Sequence, residues 1–387
     1  MAASTARVMA GIPTTNLSLY HEIRFRVGDP TALVELPAEG GRTRRVLILR
    51  DIEMARARAH ARADEVRSPR DFAPPGGLSG DRETATAQAV AECLRRAGVT
   101  RVVADRTLPL IYASMIRAGG AEVEADLEWG VRERRSKDES ELRHLDHAQR
   151  ATEEAIREAC RMVAGATARA DGVLLHEGQP LTSERVRLAI DLRLLAGGFE
   201  NPRAIVAGGR QGSDCHHDGA GELRTGEPVI IDVFPRHKAS GYNGDCTRTV
   251  VHGKVPDALR RMHAAVVEAK AAATAAVRAG VTGESVHRAS IAVMTRLGYA
   301  MGMPPADAPD SWCGMVHGTG HGLGLEVHEP PLLDMGGPAL VAGDVLTVEP
   351  GLYCRAVGGV RVEDMVVVTN DGCRLLGAGL PEGLEWT

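Results

Sequence analysis

The sequence has no apolar run approaching the ~18 residues that a membrane-spanning helix requires. Its opening stretch, MAASTARVMAGIPTTNLSLY, is small and polar and lacks the apolar core of a signal peptide. The seven cysteines include no C-x-x-C pair, and an odd, unpatterned set is expected in a reducing, cytoplasmic setting. Cys246, Cys313 and Cys354 fall beside the motifs described below and read as small buried hydrophobes. Positive charge is not in surplus. The formal net charge is −5, which argues against a nucleic-acid partner. No repeat of solenoid length is visible. What remains is the composition of an ordinary soluble globular protein, 44% hydrophobic and 25% charged, long enough at 387 residues for two or three domains.

His-Glu-x-x-His, the zinc-binding helix pattern, is also missing. Histidine is nevertheless concentrated in HGTGHGLGLEVHE, His317–Glu329. Gly318, Gly320, Gly322 and Gly324 forbid a helix here and let the backbone bend and pack closely. One of His317, His321 and His328 can be a metal's nitrogen ligand, and the other two can work on a substrate. A dinucleotide loop in GTGHGLG is disfavoured, because the spacing is not G-x-G-x-x-G and no β-α-β unit surrounds it.

The N-terminal third mixes buried-strand candidates, Arg45–Leu49 and Arg101–Ala104, with the helically spaced segments Asp51–Glu65 and Glu83–Ala97. The loop APPGGLSG (Ala73–Gly80) separates those two segments. This predicts an α/β domain over residues 1–135 with no catalytic constellation. RERRSKDESELR (Arg132–Arg143) is a charge run expected at a solvated face or linker. Ser136 and Glu139 within it form a Ser-x-x-Glu capping box, so a long helix should run from near Lys137 to about Ala164. In the second domain, residues 136–387, helices are predicted at Asp138–Val163, Thr182–Leu195, Pro256–Ala279 and Glu284–Leu297. Strands are predicted at Glu227–Phe234, Asp245–Val251, Asp344–Pro350 and Val360–Thr369. That pattern is α+β.

Several of these strands carry carboxylates at their rims or ends. Asp232 ends the apolar run Val229-Ile230-Ile231, where an unpaired charge is costly. Asp245 opens the next strand, and the turn-rich SGYNGD before it allows a hairpin. Asp245, Thr247 and Thr249 share one face by period-2 alternation, as do Val345, Thr347 and Glu349, and as do Arg361 and Glu363. Carboxylates this close would raise one another's pKa unless a cation neutralised them. Oxygen donors with a single imidazole suit Mn²⁺, Fe²⁺, Co²⁺ or Zn²⁺. Two such ions, bridged by carboxylates, would use Asp232, Asp245, Glu349, Glu363 and one histidine.

Five pieces of the sequence resemble the creatinase/aminopeptidase family, which includes methionine aminopeptidase, aminopeptidase P, prolidase and creatinase. They are DCHHDGAGELRTGEPVIID, SGYNGDCTRT, VHGTGHGLGLEVHE, LTVEPGLY and GVRVED, in that order. The N-terminal region resembles the creatinase/prolidase N-terminal domain. The resemblance implies a pita-bread fold in the C-terminal domain, with a smaller α/β domain before it. It also implies a dinuclear site with Asp232, Asp245, His321, Glu349 and Glu363 as metal ligands, Asp245 and Glu363 bridging. Mn²⁺ is the preferred ion, with Co²⁺, Zn²⁺ or Fe²⁺ as alternatives. His317 and His328 would contact the scissile peptide group, and His216 matches a further active-site histidine, with His217 the close alternative. Arg361 would orient a ligand carboxylate. His237 and His252 read as structural. One departure is that DVFPRHKASGYNGD is longer than the family pattern and has Val233-Phe234-Pro235 after Asp232. It is expected to reshape the pocket wall, with Arg236, His237 and Lys238 more naturally solvated than lining.

The implied activity is metal-assisted hydrolysis next to a free N-terminus, most naturally at Xaa-Pro bonds of dipeptides or short peptides, in a homodimer. A bridging hydroxide would attack the carbonyl, with Glu349 as general base and acid. His328 and His216 would stabilise the oxyanion, and His317 would support the leaving nitrogen. The nearest alternative is a creatinase-like hydrolase of a small amide or C–N bond. Beyond it stands a non-catalytic binding module on the same fold, which would be expected to have lost ligands.

Overall fold

In the computed structural model, which describes residues 4–386, one unit of the chain ends at Arg134 and another begins at Arg135. Met1–Ala3, part of the opening stretch and of the first expected domain, lie outside the described residues, as does Thr387 at the end of the second.

The first unit is built on a mixed six-stranded sheet. Its strands are β1 (Thr5–Gly11), β2 (Thr31–Pro37), β3 (Thr43–Ile48), β4 (Glu65–Arg67), β5 (Arg101–Asp105) and β6 (Glu122–Asp126), in the order β4-β3-β2-β1-β5-β6. Alternation sends Val8, Val34 and Val46 to a core shared with Ala87, Val90 and Leu94 of the helix α1 (Arg82–Arg96). Met9, Leu33 and Leu47 go to the opposite face, against Leu19 and Ile23. With both faces covered, these strands read as near-continuous apolar runs. The segment Asp51–Glu65 differs from its predicted helix. Its α-helix is only Met54–His60, and Glu65–Arg67 pairs in parallel with β3 instead. Sheet pairing overrides helical spacing there.

The second unit opens on α2 (Glu139–Ala164), which ends where predicted but starts two residues late. Its capping box is Asp138 with Glu141, not Ser136 with Glu139. The Ser136 hydroxyl donates to Ala342 O, and Lys137 N donates to Gly343 O, so those residues pair elsewhere before the helix begins. The charge run is also not simply solvated. Arg135 makes a bidentate pair with the wholly buried Asp344, and Lys137 is buried against Glu329.

Beyond it come α3 (Ser183–Ala196), α4 (Asp257–Ala276) and α5 (Gly283–Arg296), close to the sequence expectation. Three sheets carry the functional residues. One is an antiparallel trio, β7 (Ala204–Gly208), β8 (Pro228–Val233) and β9 (Cys246–Val251), in which Asp232 faces Thr247 and Val233 faces Cys246. A second contains β10 (Cys313–Met315). The third contains β11 (Gly320–Gly322), β12 (Glu329–Leu333) and β13 (Val345–Val348). The strand predicted over Val360–Thr369 is two strands. The first, β15 (Gly358–Arg361), follows β14 (Gly351–Cys354) in the sheet of β10. The second, β16 (Asp364–Val368), pairs with β13. Glu363 sits at the crossing between sheets. The buried Arg248 guanidinium fixes that crossing by donating to Glu363 O and to Asp364 Oδ1.

Candidate metal centre

All five carboxylate and imidazole groups singled out as ligands line one cavity of about 300 Å³, together with His216, His317 and His328. Asp245, His321 and Glu363 each offer a donor atom, and these atoms lie within 4.8 Å of one another. His321 Nε2 is 3.7 Å from Asp245 Oδ2 and 3.3 Å from Glu349 Oε1.

Each group is held from behind. Asp232 is the last but one residue of β8, and its Oδ2 accepts from the Arg361 guanidinium at 2.5 Å. Asp245 follows the hairpin turn, and its backbone N–H donates to Gln149 Oε1 of α2 at 2.9 Å. Gly244 permits that approach, since a Cβ there would lie 2.2 Å from Thr152 Oγ1. Glu363 Oε2 accepts from the Thr247 hydroxyl at 2.7 Å. Thr347 donates to Glu349 Oε1 and accepts from His321 N. The glycines of the His motif serve close strand packing, as expected of them. A Cβ at Gly320 would meet Thr347 O at 2.0 Å.

Burial, followed by the Glu363, Asp232 and Glu349 carboxylates, raises Asp245 well above the ordinary carboxylate range. Burial, followed by the Glu349 and Asp232 carboxylates, raises Glu363, and burial pushes Glu349 up to about 7. Asp232 Oδ1 is buried with no hydrogen-bond partner. A cluster of crowded, desolvated carboxylates with an orphan oxygen is costly alone and suited to divalent cations. The set of four carboxylates and one imidazole is the chemistry of Mn²⁺, Fe²⁺, Co²⁺ or Zn²⁺. The residues therefore fit a metal centre.

The other histidines divide. His328 lies 4.3 Å, ring centre to ring centre, from His321, and burial lowers its pKa. His317 has both ring nitrogens engaged. Nδ1 donates to Gly318 O at 2.7 Å, and Nε2 accepts from the Tyr353 hydroxyl at 2.7 Å. That hydroxyl in turn accepts from Arg361 at 2.8 Å. Burial lowers His317 to about 4, so it is neutral near pH 7. His216 lines the cavity, whereas the His217 ring accepts from Gly219 N. His252 bonds Thr225 and Ala166 O, and His237 packs on Phe199 and His147, both structural arrangements. In the longer loop Phe234 lines the cavity, while Arg236 turns to Glu200 and Gly241 O.

Residues 154–370, more than half of the chain, match the sequence profile of metallopeptidase family M24. The chain belongs to metallopeptidase family M24. Divalent metal ions are implied by that membership, in agreement with the donor set. This M24 chain is 37% identical over 170 residues to a probable dipeptidase PepE of Mycobacterium tuberculosis, covering 43% of this chain and 42% of that protein. It is 32% identical over 196 residues to an Xaa-Pro dipeptidase of Pyrococcus furiosus, covering 49% and 52%. The matched stretch thus spans about half the length of these relatives, or less. Its fold is similar to that of an Xaa-Pro dipeptidase from Bacillus anthracis, with a TM-score of 0.78 and 22% identity over 98% of this chain and 94% of that one. It is also similar to dipeptidase PepE from Mycobacterium ulcerans, with a TM-score of 0.74 and 26% identity over 99% and 92%. The fold is the pita-bread architecture with a smaller N-terminal α/β domain.

Sequence reasoning passed over several residues of this M24 site. Tyr353 was visible inside LTVEPGLY but carried no chemical pattern of its own. Gln149 and Asp334 reach the site only through the fold.

Proposed function

We propose that this chain is a dinuclear metal-dependent exopeptidase that hydrolyses the bond after a free N-terminal residue, with Xaa-Pro dipeptides or short peptides as its substrates. The observation that carries this reading is the convergence of Asp232, Asp245, His321, Glu349 and Glu363 on one cavity. These five would hold two divalent ions, Mn²⁺ first. Bound ions supply Lewis acidity and a more acidic water. Glu349 takes up and returns a proton at its carboxylate. His328 and His216 present ring N–H groups toward the carbonyl oxygen as charge develops on it. His317 would support the leaving nitrogen by receiving at Nε2 the proton that Glu349 returns and donating that N–H in place of the bond it accepts from Tyr353. Arg361 fixes Asp232 and Tyr353 together, so the ligand side and the histidine side move as one. A cavity of about 300 Å³ lies at the small end of ligand pockets and favours a compact substrate.

No helix among the described residues is long and apolar enough to cross a membrane. All seven cysteines are free, which supports a reducing, cytoplasmic setting. A homodimer belongs to the same reading, and sedimentation measures it. The deciding experiment pairs metal analysis of chelator-free protein with hydrolysis of Ala-Pro, Met-Ala, Arg-Pro-Pro and a cyclic amide in Mn²⁺. Close to two metals per chain with turnover of Ala-Pro or Arg-Pro-Pro is expected. Metal-free protein that turns over only the amide would transfer the assignment to a creatinase-like hydrolase.

A further inference from the structure

The cavity is lined by Asp232, Asp245, Glu349, Glu363 and one further carboxylate, Asp334, which takes no part in the proposed metal set. Asp334 lies just past β12 and is held in one orientation. Its Oδ1 accepts from Met335 N at 2.7 Å and lies 3.4 Å from His287 Nε2. His287 belongs to α5, is 4% exposed, and has Nδ1 2.8 Å from Thr319 Oγ1. Burial holds that imidazole below its ordinary pKa. With its pKa held below the ordinary value, His287 leaves the Asp334 charge uncancelled, and the orientation of that carboxylate rests on the Met335 N–H.

Asp334 Oδ2 makes no hydrogen bond to any described residue. It lies beside Gly318, where a Cβ would be 3.1 Å from it, and so borders His317. Neither cavity arginine compensates it. Arg361 is committed to Asp232 and Tyr353, and Arg203 to Asp218 and His216 O. The side chain is 46% exposed, whereas that of Asp245 is 5% exposed, so Asp334 stands at the mouth of the cavity.

We infer that Asp334 is a specificity-determining residue that selects substrates whose N-terminal residue carries a basic side chain, Lys or Arg. The inference rests on the exopeptidase reading above. In such a substrate the α-ammonium is tied by the backbone to the scissile carbonyl and stays near the buried cluster. A Lys or Arg side chain carries its charge farther out, to the mouth. A fixed, uncompensated carboxylate there attracts a cation and repels an acid.

The test is kcat/KM for Lys-Pro, Arg-Pro, Met-Pro and Glu-Pro with metal-loaded wild type, Asp334→Asn and Asp334→Lys. Wild type is expected to favour Lys-Pro over Met-Pro by roughly tenfold, and added salt should erode that ratio. Asp334→Asn should bring the ratio toward one, and Asp334→Lys should shift preference toward Glu-Pro. A wild type indifferent to side-chain charge, or an Asp334→Asn variant that keeps the basic preference, overturns the inference. If wild type cleaves none of the four dipeptides and none of the corresponding Xaa-Pro-Pro tripeptides, the exopeptidase reading itself falls and takes this inference with it.

Discussion

Lys137 Nζ lies 2.6 Å from Glu329 Oε1, with the two side chains only 2% and 3% exposed. Glu329 directly follows His328 and opens β12, and a Cβ at Gly324 would come within 2.5 Å of its Oε1. A cation just before α2 therefore anchors the segment that presents His328. Breaking a buried ion pair by removing one member costs about 3–5 kcal/mol. Lys137→Met is expected to lose stability on that scale and to lower kcat. Lys137→Met with Glu329→Leu should recover much of the stability. Urea unfolding checks both, and a single mutant as stable as wild type would contradict the role.

Asp245→Asn is expected to abolish activity and to reduce bound metal, because one carboxylate of the proposed metal set loses its charge. Metal analysis and peptide hydrolysis are measured on the same sample. Normal kcat with normal metal content would remove Asp245 from the centre.

His328→Ala is expected to lower kcat about 100-fold or more while leaving metal content unchanged, as for loss of an oxyanion donor. Its ring lies tilted against that of His321, and it is His321 that reaches the carboxylates. Loss of metal in this variant would mean that His328 is a ligand.

His317 gives a pH prediction. Its folded-state pKa, about 4, lies below the ordinary 6.5. The stability tied to its neutral form is then complete above about pH 6.5 and is lost as pH falls toward about 4. In His317→Gln that part of the acid sensitivity should vanish. Unfolding free energies of the two proteins, both metal-free, should therefore converge, or reverse in order, between those pH values. Parallel profiles would show that His317 is not held neutral.

Local patterns in the sequence reached far into this molecule. The helices α3 and α5 appear within a residue or two of their expected bounds, α5 because its apolar residues keep helical spacing and α3 because Thr182 caps its start by accepting from Arg185 N. The capping box moved from Ser136 to Asp138 because Ala342 and Gly343 claim the polar groups just before it, and those residues are distant in sequence. The strand over Val360–Thr369 broke at Glu363 because its two halves join different sheets, which only tertiary pairing decides.

At the site, the chain alone supplied the donors: carboxylates at strand ends and a glycine-spaced histidine motif, whose chemistry follows from residue type. Their meeting, and the assignment of each imidazole, required the fold. His216 faces the cavity while its neighbour His217 bonds the backbone, and Tyr353 links Arg361 to His317 across segments far apart in sequence. Residue type sets what a group can do at short range, whereas hydrogen bonds and burial between remote segments set which of those capacities is used.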